Sequence, residues 1–431
     1  MEYRLARKSA IYIGAACCCA LMLEAARQAR ADWLRRNPTE SGVEEAIRLD
    51  PTNAYAYSLR AEFLERSGRD SEPAWKKAAE YDPRNAEILI QNSLARERKG
   101  DQCGCEQGLL QAAASNHTWL PRWTLTSYYL RHGNTREAYR WARLAAERSA
   151  GDLRPLFQAL RDSGASPEFI ATAIVPANRA TLLAYLWYLI GRDGRAGVEI
   201  TATRLADLIP DHPPGWPGLD IGPAGGLLHR TFPTEGGERA ALLSAVNRLL
   251  EGDPALPAVD LWNHLVERRV ISSEPWKPDR AIVNGSFRFP LLGGGLDWMA
   301  GKGDGFSVDA ANPEGFAEVD LTGTQGDASD LLAQTVCAPR GRSYHFQFES
   351  STEQVPAATG VSWEFRDRAT GAPIAGAAIT GSESWMASGC DIPAAAADRV
   401  FRLVLTYRRL PGTVRSEGNV RVRNVRLESR P

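Results

Sequence analysis

The stretch Ala46-Ile-Arg-Leu-Asp-Pro-Thr-Asn-Ala54 returns 32 residues later as Ala78-Ala-Glu-Tyr-Asp-Pro-Arg-Asn-Ala86. In the same phase, Ala61 precedes Gly68 by seven residues and Ser93 precedes Gly100 by seven. An interval of this size is that of a helical hairpin, a unit that cannot bury its apolar face alone and must stack on its neighbours. Each marker has a physical task. A small residue lets two antiparallel helices approach, and a glycine permits the tight turn between them. The Asp-Pro pair ends the second helix, because proline has no amide donor and disfavours helix in the residue before it.

Working outward, residues 54–85 form a first full repeat with Ala61, Gly68, Ala78 and Pro83. Residues 86–118 form a second, with Ser93, Gly100 and the run 112–114, and a third starts at Trp119 with Thr126, Gly133, Ala138 and Ala145. Small residue, turn glycine, small residue and stop proline in this order resemble the tetratricopeptide (TPR) family. The 32-residue offset falls short of that family's period of about 34, so the second helix after Asp70-Ser-Glu-Pro73 is expected to be short. Upstream, 38–51 reads as half a repeat with 44–49 as its helix. Downstream, Ala184/Gly191 and Ala245/Gly252 mark two degenerate repeats at about 177–210 and 238–268. Residues 182–190 are apolar on every side and read as a buried helix. The Gly- and Pro-rich stretch at about 211–237 is expected to be an irregular insertion.

Composition bounds the remaining possibilities. The 431 residues carry 44% hydrophobic and 24% charged side chains, an ordinary globular balance. A net charge of −1 provides no overall positive field, so no nucleic-acid partner is expected. At the N-terminus Arg4, Arg7 and Lys8 precede an apolar run from Ala10 to Leu23. A basic flank before such a run reads as a signal-anchor or transmembrane helix over 1–31, with residues 32–431 on the extracytoplasmic side of the cell envelope. Ala29-Arg-Ala31 is a poor cleavage site, since Glu24, Arg27 and Arg30 lead into it. Cys17, Cys18 and Cys19 lack the preceding Leu of a lipidation site and read as small apolar helix residues. Cys103 and Cys105 are too few and too close for a zinc site.

From about Ile282 the period becomes two. Tyr344, Phe346 and Phe348 alternate with His345, Gln347 and Glu349; Val361, Trp363 and Phe365 share a face, as do Phe401, Leu403, Leu405 and Tyr407. Short alternating strands separated by turn residues predict an all-β sandwich over 281–431, after an α-helical repeat domain over 32–280. Asn284-Gly-Ser-Phe287, Gly293-Gly-Gly-Leu-Asp-Trp298 and the closing Val420-Arg-Val-Arg-Asn-Val-Arg-Leu427 resemble carbohydrate-binding-module-like jelly rolls. As a whole the chain is similar to anchored bacterial envelope TPR proteins with a C-terminal jelly roll. The fold class expected is therefore an all-α helical-hairpin solenoid, an all-β jelly roll and an N-terminal membrane helix. In the jelly rolls it resembles, the strands bearing Cys337 and Cys390 lie side by side, which implies a disulfide between them in an oxidising compartment.

No chemistry-bearing pattern emerges. The chain lacks His-Glu-x-x-His, a P-loop, a Gly-x-Ser-x-Gly elbow and a glycine fingerprint between strand and helix. Gly301-Lys-Gly-Asp-Gly305 reads as a hairpin loop. Asp297, Asp304 and Asp309 are the oxygens a calcium ion would need, but Arg423 stands where an acidic residue would help, so no metal and no cofactor are expected. The expected function is a non-catalytic envelope scaffold: a TPR groove for a protein segment, with Trp123 as a contact, and a jelly roll for glycan or protein. Trp298 and Trp385 are the candidates for stacking on a sugar ring, while Trp363 reads as core. The alternative is an enzyme or accessory subunit of envelope polysaccharide metabolism with the jelly roll as its carbohydrate-binding module.

Overall fold

The computed structural model describes residues 2–148, 151–192, 194–210, 233–252, 255–310, 314–368, 370–395 and 398–430, the side chains of 2–12 and 233–236 excepted. The chain forms two compact units, Met1–Gly164 and Ala165–Pro431.

The first unit is a series of antiparallel hairpins: α1 (Glu2–Arg36) with α2 (Glu40–Leu49), α3 (Ala54–Arg66) with α4 (Glu72–Tyr81), α5 (Ala86–Arg98) with α6 (Gln102–Ser115), and α7 (Trp119–Arg131) with α8 (Thr135–Arg148), then α9 (Arg154–Asp162). The repeated Asp-Pro-x-Asn phrase turns out to be one reciprocal cap. Asp82 ends α4 and its carboxylate accepts Asn85 Nδ2 at 3.1 Å, while Asn85 Oδ1 accepts the amides of Glu87 and Ile88 that open α5. Asp50 and Asn53 repeat the device between α2 and α3. Ala61, Ser93 and Thr126 are fully buried at 0% exposure. Gly68, Gly100 and Gly133 follow α3, α5 and α7 with φ of 65°, 85° and 72°, the left-handed region where a side chain is strained. Cys105 sits in the phase that Ala138 holds one repeat later and is likewise fully buried, so it serves as a small core residue. Burial pushes its thiol up to about 12.

The N-terminal expectation requires correction. Among the described residues no helix is long and apolar enough to cross a membrane. The apolar run covers 14 residues, or about 21 Å of helix against a hydrocarbon core of about 30 Å, before Glu24 and Arg27 interrupt it. Helix α1 instead continues unbroken to Arg36, and its last turns bury Ala31 and Leu34. Arg30 Nε donates to Glu45 at 2.8 Å and Arg35 Nη1 to Asp50 at 3.2 Å. The segment read as half a repeat is therefore the second helix of a complete hairpin whose first helix is the end of α1.

The second unit opens with α10 (Pro167–Phe169), which runs into a π-helical turn over Ile170–Ile174, followed by α11 (Arg179–Ile190), α12 (Val198–Asp207), α13 (Pro233–Leu250) and α14 (Leu256–Glu267). The degenerate repeats exist as helix pairs, and Ala245 in the second is fully buried as its phase requires, but the first departs from the earlier pattern. Ala184 is only half-buried, and Gly191 has an ordinary φ of −73°. The Gly/Pro-rich insertion falls at 211–232, outside the described residues, and 233–237 already belongs to α13.

Two five-stranded antiparallel sheets complete this unit. The strands are β1 (Met299–Ala300), β2 (Phe306–Asp309), β3 (Ala317–Thr322), β4 (Ala328–Ala338), β5 (Ser343–Glu353), β6 (Ala358–Asp367), β7 (Pro373–Thr380), β8 (Met386–Ile392), β9 (Arg399–Arg408) and β10 (Glu417–Arg430). One sheet runs β1-β4-β9-β6-β7 and the other β2-β3-β10-β5-β8. The alternation read from sequence points the aromatics inward: Phe346 of β5 meets Trp363 and Phe365 of β6 edge-on, at 5.9 and 5.0 Å between ring centroids.

This topology overturns the disulfide. Cys337 lies on β4 opposite Val400, whereas Cys390 lies on β8 opposite Phe346, so the two belong to different sheets and both are free thiols. Segment 301–305 also differs from its reading. It carries the chain from β1 in one sheet to β2 in the other and closes no hairpin.

Candidate functional site

Three surfaces gather side chains that could meet a ligand. In the first unit, α3, α5 and α7 are the first helices of successive hairpins, and charged side chains join them. Arg98 of α5 pairs with Glu65 of α3, and Arg131 Nη2 of α7 donates to Glu97 Oε2 of α5 at 2.7 Å. Glu65 also accepts Trp75 Nε1 at 2.9 Å and Ser71 Oγ at 3.0 Å. Glu97 accepts His132 Nε2 at 2.9 Å. Burial pushes Glu97 up, yet the hydrogen bonds from Arg131 and His132 outweigh it and hold the carboxyl below its ordinary value.

These pairs join the C-terminal ends of the three helices, and nearer the start of α7 apolar side chains stay uncovered. Leu120, Trp123, Ser127 and Leu130 follow at three- and four-residue spacing, which places them on one face of the helix. Leu120 is 46% exposed, and Trp123 is half-buried and stacked on Trp119 at 5.6 Å and 7° between ring planes. Trp123 was legible as a candidate, whereas Leu120 was missed, although its spacing from Trp123 signals it.

In the second unit, residues of β3, β10, β5 and the start of β8 that alternate with the core form an outer face. Trp385 is half-buried there, with the Arg423 guanidinium 4.0 Å from its ring centroid and Phe316 at 6.0 Å. Arg423 stands opposite Glu349 and donates to it at 2.8 Å, and Asn424 Nδ2 donates to the same carboxylate at 3.0 Å. These two hydrogen bonds, Arg423 first, hold Glu349 below its ordinary value. Arg421 bridges Glu318 and Glu353 in the same way. The run Val420-Arg-Val-Arg announced these outward cations by its alternation.

The other sequence candidates are placed elsewhere. Trp298 is 0% exposed, packed against Phe287 and Trp363 with its Nε1 donating to Asn284 O at 3.1 Å, which leaves it no face for a ligand. Asp297 is equally buried and accepts Leu292 N at 2.8 Å and Asn284 Nδ2 at 3.3 Å. Burial raises its pKa to about 6 against those hydrogen bonds. Asp304 and Asp309 are exposed, and among the described residues no group of three or more His, Cys, Asp or Glu converges to hold a metal ion.

The third surface is a cavity of about 940 Å³ beside the first sheet, lined by the 291–302 segment and by β4, β6 and β9. Its walls carry Lys302, Asp330, Arg366, Arg402, Thr406 and Arg408.

No protein-family model matches the chain, and no curated protein matches it. Among solved structures it is similar to a protein described as CBM4, at 12% identity and a TM-score of 0.28, over 35% of this chain and 99% of that one. It is also similar to YrrB, described as a TPR protein with an unusual peptide-binding site, at 9% identity and 0.24, over 54% of this chain and 94% of that one. PilF of Pseudomonas aeruginosa is similar at 14% identity and 0.26, over 56% and 91%. Likenesses of this size carry no functional weight, and the fold described above rests on the chain's own geometry.

Proposed function

We propose that this chain is a non-catalytic adaptor that holds a protein segment on the α3, α5 and α7 face and contacts glycan with its β-sandwich. The observation that carries the reading is the α7 stripe. Leu120 and Trp123 stay uncovered near the start of a helix whose other end is tied to α5 through Arg131 and Glu97, so a docking chain meets apolar surface on a helix already held in place. The outer-face cluster of Trp385, Arg421 and Arg423, backed by buried Phe316, supplies the aromatic and hydrogen-bonding mixture a sugar ring needs. An extracytoplasmic address belongs to the same proposal and rests only on the basic flank and apolar run of residues 4–23. Membrane anchoring is not part of it.

Site-specific photocrosslinking in the producing cell tests the protein-binding half. A photoreactive residue at Leu120 should give a discrete adduct that Trp123→Ala removes, while the same probe at Arg143 on α8 gives none. Identical adduct patterns from both positions would sink the reading. For the sandwich, neutral glycan binding that survives Trp385→Ala would remove the outer face as the sugar site.

A further inference from the structure

The cavity beside the first sheet is built differently from the two surfaces just described. One wall depends on Gly301, the first residue of the crossover, lying against β4: Gly301 N donates to Leu331 O at 2.7 Å, and a Cβ on Gly301 would fall 1.9 Å from Asp330 O. Only glycine fits there, and the next residue, Lys302, is thereby placed at the cavity wall. Across from it β9 contributes Arg402, Thr406 and Arg408 from one face, and β6 contributes Arg366.

Two of these four cations are already neutralised. Arg366 Nη1 donates to both Asp330 oxygens at 3.0 Å and its Nε to Glu364 at 2.9 Å, while Arg408 Nε donates to Glu364 at 3.1 Å. These bonds orient the guanidinium groups. The side chains of Lys302 and Arg402, both exposed, make no hydrogen bond or ion pair among the described residues. Among the described residues the walls hold no aromatic ring, and Ser329 and Thr406 place polar oxygens among the cations. A neutral sugar would find nothing to stack on here, whereas an anionic one would find planar donors in the geometry that carboxylate and sulfate groups accept. The volume, far above the roughly 30 Å³ of liquid that one water occupies, fits a ligand larger than a simple ion.

We propose that this cavity is a second glycan site of the β-sandwich, specific for acidic oligosaccharide bearing carboxylate or sulfate groups, with Lys302 and Arg402 as the residues that engage the charge. The proposal rests on the reading of the sandwich as a glycan-binding unit, and it concerns the sheet opposite the one that carries Trp385.

Isothermal titration of the full chain with a uronate oligosaccharide, a sulfated oligosaccharide, a neutral oligosaccharide and inorganic phosphate tests it. One or both acidic sugars should bind, weaken as salt rises, and lose at least ten-fold in affinity in Lys302→Gln/Arg402→Gln and further in Lys302→Glu/Arg402→Glu. Both side chains are exposed, so the variants should keep the parent unfolding midpoint. The uronate and sulfate arms tell the two charge sources apart. Acidic-sugar binding unchanged in both double variants overturns the proposal. So does phosphate binding as tight as the oligosaccharide, which would reduce the cavity to an ion site, and so does a neutral sugar that competes equally. Trp385→Ala should leave acidic-sugar binding unchanged. Loss of neutral binding in that variant alone would separate failure of this site from failure of the outer-face reading.

Discussion

The hairpins of the first unit and the strands of the second bury their apolar faces by different means. In α3 to α8 every closing contact lies within one repeat or the next: Ala61 packs with Ala74, Trp75 and Ala78 of the following helix, and Asp82 reaches only as far as Asn85. In the sandwich Val420 of β10 stands opposite Val319 of β3 and Thr352 of β5, and Cys337 stands opposite Val400. Local closure makes each hairpin an independent copy of one solution. Distant closure makes every strand's neighbour a property of the whole domain.

The contrast is tested first at the centre of the sandwich. Trp298→Ala should cost about 3–5 kcal/mol, because it empties a site packed by Phe287 and Trp363 and leaves Asn284 O without its indole donor. Denaturant unfolding followed by circular dichroism measures it. A cost under about 1 kcal/mol would mean that the aromatic core repacks.

Next comes Asp297, whose carboxyl is raised from 3.8 to about 6 by burial. A raised carboxyl favours the protonated folded form. Its contribution is fully present below the unfolded value and is lost as pH rises through the folded one. Sandwich stability should therefore fall between about pH 4 and pH 6, on the order of 3 kcal/mol from this group. Asp297→Asn should flatten that slope. Parallel stability–pH curves for parent and variant would remove Asp297 as the cause.

These two regions were not equally legible. The repeated Asp-Pro-x-Asn, the buried small residues and the turn glycines all report contacts a few residues away, and each is where its spacing puts it. Inward alternation in β5, β6 and β9 was legible for the same reason, since period two is a local property of a strand. The sheet to which Cys337 and Cys390 belong was not, because no local pattern encodes strand order. Trp298 misled in the same way: the glycine loop before it looked exposed, yet Gly295 docks so closely on Trp262 that a Cβ would fall 2.6 Å from the ring, and the following indole turns into the core. The apolar run of α1 was clear, but its continuation into a hairpin depended on Ala31 and Leu34 meeting α2. Of the candidate surfaces, Trp123 and Trp385 carried a signal as aromatic residues. Lys302 and Arg402 carried none, since they converge only through the crossover and β9.

A third substitution sharpens the comparison inside the helical elements. Ala61→Trp should cost about 1–3 kcal/mol by overpacking a fully buried contact. Ala184→Trp, at the corresponding phase in α11 but half-buried, should cost clearly less. Equal costs would mean that the phase of the first unit extends into the second after all. Thermal unfolding of the two variants beside the parent decides between these outcomes.

The smallest expected effect is at Glu97, where α5 and α7 are joined. Its side chain is 18% exposed and accepts Arg131 Nη2 at 2.7 Å and His132 Nε2 at 2.9 Å. Glu97→Gln keeps an acceptor oxygen but removes the charge, so the loss should be under about 1 kcal/mol at pH 7, in the range of partly exposed ion pairs. Its pH sense is opposite to that of Asp297. A carboxyl held below its ordinary 4.5 stabilises the fold above that value and loses this contribution as pH falls through the folded value. The gap between parent and Glu97→Gln should therefore close in acid, whereas the gap for Asp297→Asn has the opposite sign and opens as pH rises from about 4 to 6, where the buried parent carboxyl ionises and the variant becomes the more stable. Salt should shrink the Glu97 effect, because these side chains are partly solvated and screened, and leave that of buried Asp297 nearly untouched. Stability measured at pH 3 and 7, each at low and high salt, resolves the pair. A Glu97 gap that persists at pH 3 would show that the variant acts through packing and not through the charge that links successive hairpins.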